Sequence, residues 1–370
     1  MKDSNLGKWQ TFREAMAQPS LWRSWAADLE IKAAEISGWI RNQGYDEIWL
    51  SGAGTSAFIG ETLSVHLNRE PGRAKFRTVA TTDFVSCPRN YIRAGVRVLV
   101  VSFGRSGNSP ETVGMLDLLD GHAPEMDRLN FTCNAAGNLA RRKAQGPGEQ
   151  RIVLLPPETN DQGFAMTSSY STMLLSALAC LDPHPPFGLP EAVERLAAAG
   201  EIVQSRALDL ATGRAKPPSR AVFLGSGSLL GSAHESSLKV LELTAGVMPT
   251  LWDSTLGFRH GPKAFMDKDT LVHVFVSDDR HTRRYDMDAA NEIRAQYGPR
   301  SVVTIGTQAS EVDLHVPSVG NDAWSSVLYV AVAQIQAIIW SSMLRFNVDN
   351  PFSDGTLNRV VQGVTLYPFE

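Results

Sequence analysis

The chain has 370 residues, 43% of them apolar and 20% charged, with a formal net charge of −4 and a pI near 6.1. That length and composition allow two domains with substantial cores and exclude a disordered chain or a fibre. The mild acidity offers no basic surface for nucleic acid, and Cys87, Cys133 and Cys180 form no CxxC pair, which predicts reduced thiols in a cytoplasmic protein.

The first residues, 1–8, hold no apolar segment of the signal-peptide type, so no secretory leader is expected. Residues 8–43 read as helix, carrying Trp9, Phe12, Trp22, Trp25 and Ile31. A strand at 47–50 runs into Ser51-Gly52-Ala53-Gly54-Thr55-Ser56 and a helix over 57–67. Further strands are predicted at 75–80, 96–101, 128–133 and 151–155, with a mostly apolar helix over 164–181. A Pro-rich break at 182–190 precedes a helix over 191–211, and Lys216-Pro217-Pro218-Ser219 marks a second break.

The opening arrangement then returns. A strand at 221–224 leads to Gly225-Ser226-Gly227-Ser228 and a helix over 229–245, followed by strands at 271–276, 301–305 and 314–316. The apolar stretch 327–340 is interrupted by Gln334 and Gln336 and is too short to span a bilayer, so it reads as a buried helix and no membrane partner is expected. Strands alternating with helices in two similar halves predict an α/β protein of two tandem doubly wound domains with parallel sheets, plus an N-terminal helical segment. The expected division is 1–44 for that segment, 45–212 and 213–345 for the two domains, and 346–370 for a C-terminal tail.

Three polar clusters stand at predicted helix starts. Ser102-Phe103-Gly104-Arg105-Ser106-Gly107-Asn108-Ser109 follows a strand and precedes a helix, where unpaired N–H groups and partial positive charge favour an anion. The Gly52–Ser56 loop ends a neighbouring strand, and strand ends of an open parallel sheet converge on one crevice. Thr55, Ser56, Ser106, Asn108 and Ser109 are therefore candidates to hold one phosphate, with Arg105 adding charge or guarding the entrance. Thr167-Ser168-Ser169 is the third cluster. Each cluster also has an ordinary capping explanation. Hydroxyls in place of a nucleotide-type lysine point to a phosphosugar more than to ATP.

Glu235, Lys239 and Glu242 are spaced i, i+4 and i+7 on a helix otherwise rich in Leu and Val. The alternatives are a solvated salt-bridge row and a charged stripe facing a cleft, where a carboxylate beside Lys can transfer protons. His260, in Gly257-Phe258-Arg259-His260-Gly261-Pro262-Lys263, belongs to a loop because Pro262 breaks regular structure. It is a candidate acid/base for opening a sugar ring. No HxH or HExxH pattern is present, so neither a metal site nor any cofactor is expected.

These residues resemble the sugar isomerase (SIS) superfamily from about residue 45 to the C-terminus, which implies two SIS-type, flavodoxin-like domains. By that resemblance Glu242 is the proton shuttle, His260 opens the ring from a neighbouring subunit, and Glu235 and Lys239 support them. Ser56, Ser106, Ser109 and Thr167 match phosphate-loop positions, while Gly104 stands where relatives have serine and Arg105 where they have glutamine. Gly54, Thr55, Ser102, Ser168 and Gln362 complete the implied substrate contacts, and the tail is expected to close the active site. Gln362 occupies the place of the lysine that forms a Schiff base in glucosamine-6-phosphate synthase, so synthase chemistry is not implied.

The segments GAGTSAFIG, SFGRSGNSPE, GFAMTSS, SLKVLELTAG, GFRHGPK and NRVVQGV are most similar to the Aga-type branch. Its members are galactosamine-6-phosphate deaminases or tagatose-6-phosphate ketose/aldose isomerases. The implied activity is conversion of galactosamine 6-phosphate to tagatose 6-phosphate and ammonia by a homodimer with a shared active site. Simple ketose/aldose isomerisation, glucosamine-6-phosphate deamination and a phosphosugar-binding regulatory module remain the alternatives.

Overall fold

The long N-terminal helix α1 covers Gln10–Arg41 despite Pro19 in its interior. Proline removes the N–H that would bond the carbonyl four residues back. Here the freed carbonyl, that of Ala15, accepts instead from Gln18 Nε2 (2.8 Å) and Gln204 Nε2 (2.9 Å). The first turn of α1 is capped from far along the chain: the Asp349 carboxylate accepts from the N–H groups of Gln10 (2.9 Å) and Thr11 (2.8 Å) and from Thr11 Oγ1 (2.8 Å). The computed structural model describes residues 3–69 and 74–369. Met1 and Lys2 of the expected N-terminal segment, residues 70–73 of the first expected domain, and Glu370 of the tail lie outside the described residues.

The chain divides into two units. One holds Ser24–Asp161, Ser168–Pro185 and the chain from Leu357 onward; the other holds the chain up to Arg23, Gln162–Thr167 and Pro186–Thr356. The first is built on strands β1 (Glu47–Ser51), β2 (Lys75–Thr78), β3 (Val98–Gly104), β4 (Asp127–Thr132) and β5 (Gln150–Leu154), all parallel in the order β2-β1-β3-β4-β5. Its further helices are α2 (Thr55–Leu67), α3 (Thr81–Ser86), α4 (Pro110–His122), α5 (Asn138–Arg141) and α6 (Ser168–Leu181). Every residue of β3 is buried, as a near-continuous apolar run in the middle of a parallel sheet requires. Trp49, Phe84, Val98, Val100, Met115 and Leu119 pack as one core, with the Trp49 and Phe84 rings 5.9 Å apart. Truncating such an aromatic costs about 3–5 kcal/mol.

The second unit winds in the same way. Strands β6 (Arg220–Gly225), β7 (Thr250–Asp253), β8 (Thr270–Phe275), β9 (Val302–Gly306) and β10 (Leu314–His315) lie parallel in the order β7-β6-β8-β9-β10. Helices α7 (Leu189–Thr212), α8 (Leu229–Leu243), α9 (Arg280–Tyr297) and α10 (Asp322–Met343) complete it. Helix α10 is long and apolar enough to cross a membrane, but it is almost wholly buried and packs on α7 and α8. The fold is thus the expected pair of doubly wound parallel sheets behind a helical N-terminus.

The two Gly-rich loops share one physical cause. A Cβ on Gly52 would come within 2.6 Å of Ser56, and one on Gly225 within 2.4 Å of the Leu229 carbonyl oxygen, so strand end and helix start approach closely in both. Gly54 and Gly227 each take a left-handed backbone, with φ of 54° and 60°.

Several expectations change in detail. Strand β3 runs to Gly104, so Ser102 and Phe103 belong to the strand and the loop shrinks to Arg105–Ser109. Helix α6 begins at Ser168 and not at 164, which leaves Thr167 just outside it. Helix α8 stops at Leu243, because Ala245 (φ 49°) and Gly246 (φ 73°) reverse the backbone. Strand β7 and helix α9 were not anticipated. The first is a four-residue edge strand, and the second is highly charged with a narrow buried stripe.

Candidate active site

In the first-sheet unit, Ser51 at the end of β1 pairs in register with Ser102 on β3. The loops after these adjacent strands therefore leave the same edge of the sheet, where the winding changes direction and ligands bind in such folds. Helix α2 starts at Thr55 with Gly54 as its N-cap, so Ser56 lies within the first turn and does not cap the helix; Thr55 and Ser56 are both buried.

The Arg105–Ser109 loop divides its side chains between structure and availability. Ser109 caps α4, its Oγ accepting from the Thr112 N–H at 3.3 Å and lying 2.7 Å from Thr112 Oγ1. Asn108 Oδ1 accepts from both the N–H and the Nδ2 of Asn138, each at 2.9 Å. Asn134 Nδ2 donates to the Ser106 carbonyl at 2.8 Å. Ser106 Oγ accepts from the Asn108 N–H at 3.2 Å, which leaves its O–H as a donor. Gly107, with φ 64°, lets the loop turn tightly above Thr132.

Arg105 is buried, and its Nη2 donates to the Arg359 carbonyl at 2.9 Å. The Arg359 guanidinium in turn donates to the Asp161 carbonyl. The Asp161 carboxylate holds the start of α6, accepting from the N–H of Ser168 (3.0 Å), the N–H of Ser169 (2.9 Å) and Ser169 Oγ (2.5 Å). The helix start at Ser168 thus already carries an internal anion. Thr167, in the other unit, is buried. Gln362 is exposed on the tail. Asp161, Asn134, Asn138 and Arg359 escaped the sequence reading because their partners are set by the fold and not by local spacing.

In the second-sheet unit, the expected stripe forms on α8. Lys239 Nζ lies 2.7 Å from Glu242 Oε2 and 3.3 Å from Glu235 Oε1. Side-chain exposure is 1% for Lys239, none for Glu235 and 25% for Glu242, so this is no solvated row. Burial pushes the Lys239 ammonium down, but the charges of Glu235 and Glu242 outweigh it and hold the group above the usual lysine range. Lys239 is a fixed cation, and Glu242 is the member that reaches solvent.

His260 ends a single helical turn over Gly257–Arg259, where its ring is exposed. It makes no hydrogen bond or ion pair with the Glu235–Lys239–Glu242 stripe. Its loop is anchored by α9: Arg259 pairs with Asp288 (2.7 Å) and Glu292 (2.6 Å), and Lys263 pairs with Glu292.

No protein-family model matches the chain. A Shewanella protein named D-galactosamine-6-phosphate deaminase AgaS is 38% identical over 383 residues, which cover 100% of this chain and 97% of that protein. An Escherichia coli protein of the same name is 37% identical over 376 residues, 98% of this chain and 97% of its own. Among solved structures, tagatose-6-phosphate ketose/aldose isomerase from Escherichia coli matches with a TM-score of 0.87 at 34% identity, covering 98% of this chain and 97% of that one.

Proposed function

The chain belongs to the AgaS-type family of SIS-fold proteins, and from that premise we propose that it is a D-galactosamine-6-phosphate deaminase. The observation that carries this reading is the match at 38% identity along the whole chain to a deaminase of that name. The buried Glu235–Lys239–Glu242 arrangement supports it, because a carboxylate fixed beside a cation is what proton transfer between neighbouring carbons needs.

The residue roles are part of the proposal. Ser106, Ser109, Ser56 and Thr167 take the sugar phosphate, assisted by Gly54, Thr55, Ser102, Arg105, Asn108 and Ser168, with Gln362 contacting the sugar. His260 assists opening of the ring to the aldehyde. Glu242 removes the proton from C2, which gives an enolamine, and delivers a proton to C1. The resulting C2 imine takes up water and releases ammonia, leaving tagatose 6-phosphate. The substrate nitrogen supplies that imine, so no lysine adduct is called for and Gln362 is compatible with the chemistry.

We also propose a cytoplasmic homodimer in which His260 serves the substrate of the neighbouring chain. The exposure of His260, which neither hydrogen-bonds nor ion-pairs with the stripe, supports that arrangement, and three unpaired cysteines support the location.

The 34% identity to a tagatose-6-phosphate ketose/aldose isomerase favours a second reading, isomerisation without deamination. Ammonia release from galactosamine 6-phosphate and from glucosamine 6-phosphate separates the two, with Glu242→Gln as the control. Ammonia from the galacto sugar supports the proposal. Aldose–ketose interconversion without ammonia replaces it with the isomerase.

A further inference from the structure

The loop Gly225-Ser226-Gly227-Ser228 repeats the geometry of the Gly52 loop on a sheet of the same order, yet the proposed function gives it no role. The chemistry at this second edge differs. After β3 the first sheet presents Arg105, Ser106, Asn108 and Ser109; after β8 the second presents Ser277, Asp278 and Asp279. Carboxylates stand where the first sheet has a guanidinium and hydroxyls.

A further carboxylate fills the position itself. Asp286, on α9 and fully buried, accepts from Ser226 Oγ (2.9 Å) and Thr255 Oγ1 (2.8 Å) on one oxygen, and from the Ser277 N–H (3.0 Å) on the other. These donors follow the ends of β6, β7 and β8, three parallel neighbours, so they converge at one edge of the sheet. Burial pushes the Asp286 carboxyl up, while the hydrogen bonds from Ser277, Thr255 and Ser226 oppose the shift. Ser277 Oγ and the Asp278 N–H bind a second buried carboxylate, Asp322, at 2.5 and 2.8 Å. Ser228 Oγ, 1% exposed at the start of α8, has no hydrogen-bond partner among the described residues.

We infer that Asp286 is a built-in anion: it occupies, on the second sheet, the position that the first sheet's loops leave for phosphate, and it closes that edge to external anions. Removing the carboxylate vacates three converging donors beside the start of α8, a setting that suits a small oxyanion. The comparison rests on the reading of the first-sheet loops as a phosphate site, but the donors around Asp286 do not.

Equilibrium dialysis with labelled inorganic phosphate tests this on the full chain. Wild type is expected to bind at most one phosphate per chain and to lose it on Ser106→Ala. Asp286→Ala is expected to bind one more than wild type, and its melting temperature to rise with phosphate but not with chloride at equal ionic strength. Asp286→Asn, which keeps the volume filled, is expected to gain nothing. A folded Asp286→Ala chain without the extra phosphate overturns the inference. So does a wild-type phosphate that survives Ser106→Ala and is lost on Ser226→Ala, a result that needs no Asp286 variant to fold. Wild type that binds no phosphate removes the first-sheet reading alone, and the Asp286→Ala arm still decides the inference.

Discussion

Lys239 and Glu242 are joined at 2.7 Å within one turn of α8, and of the two only Glu242 reaches solvent. The lysine and the glutamate therefore fail differently when replaced. Glu242→Gln is expected to lower turnover by roughly 10²–10⁴-fold with little change in substrate binding. Lys239→Met removes the buried cation that pairs with both carboxylates and is expected to cost about 3–5 kcal/mol of stability. Denaturant melts check the second outcome, and Glu235→Gln/Lys239→Met is expected to recover most of the loss.

Ser106 and Ser109 stand three residues apart in one loop but carry different loads. Ser109 caps α4, so Ser109→Ala is expected to lose about 1 kcal/mol of stability as well as substrate affinity. Ser106→Ala is expected to raise KM with an unchanged melting temperature. Thermal melts set beside KM values separate the two.

His260 is exposed on an anchored loop, so His260→Ala is expected to lose activity while keeping the fold. If each site draws its histidine from the neighbouring chain, mixing inactive His260→Ala and Glu242→Gln subunits restores roughly a quarter of wild-type activity, since half of randomly assorted dimers hold one intact site. Steady-state assays after subunit exchange provide the check, and no recovery after exchange rules out the shared site.

His273 lies inside the second sheet with its ring stacked 4.6 Å from Phe223. Burial lowers its imidazole from 6.5 to about 4. Between those values the unfolded chain binds more protons than the folded one, so stability falls as the pH drops through that window. The loss approaches about 3 kcal/mol below it. Urea midpoints at pH 7.5, 5.5 and 4.5 are expected to fall less steeply in His273→Gln than in wild type.

Much of this was legible in the sequence because its signals are local. The Gly52–Gly54 and Gly225–Gly227 spacings follow from a tight strand-to-helix approach, and the α8 stripe follows from helical period. What escaped is of two kinds. Helix α9 has too narrow an apolar stripe to stand out, and β7 is too short. Asp161 and Asp286 act as internal anions toward partners chosen by the fold, Arg105 is likewise a donor to the distant Arg359 carbonyl, and no local pattern announces these pairings.

The cap that Asp349 places on the first turn of α1 also bears on the order in which the protein is made. Gln10 and Thr11 leave the ribosome more than 300 residues before Asp349 does. At about 5–20 residues per second that interval is roughly 20–70 s. The second-sheet unit joins the chain up to Arg23 to Pro186–Thr356, so the start of α1 waits without its cap until Asp349 has been made.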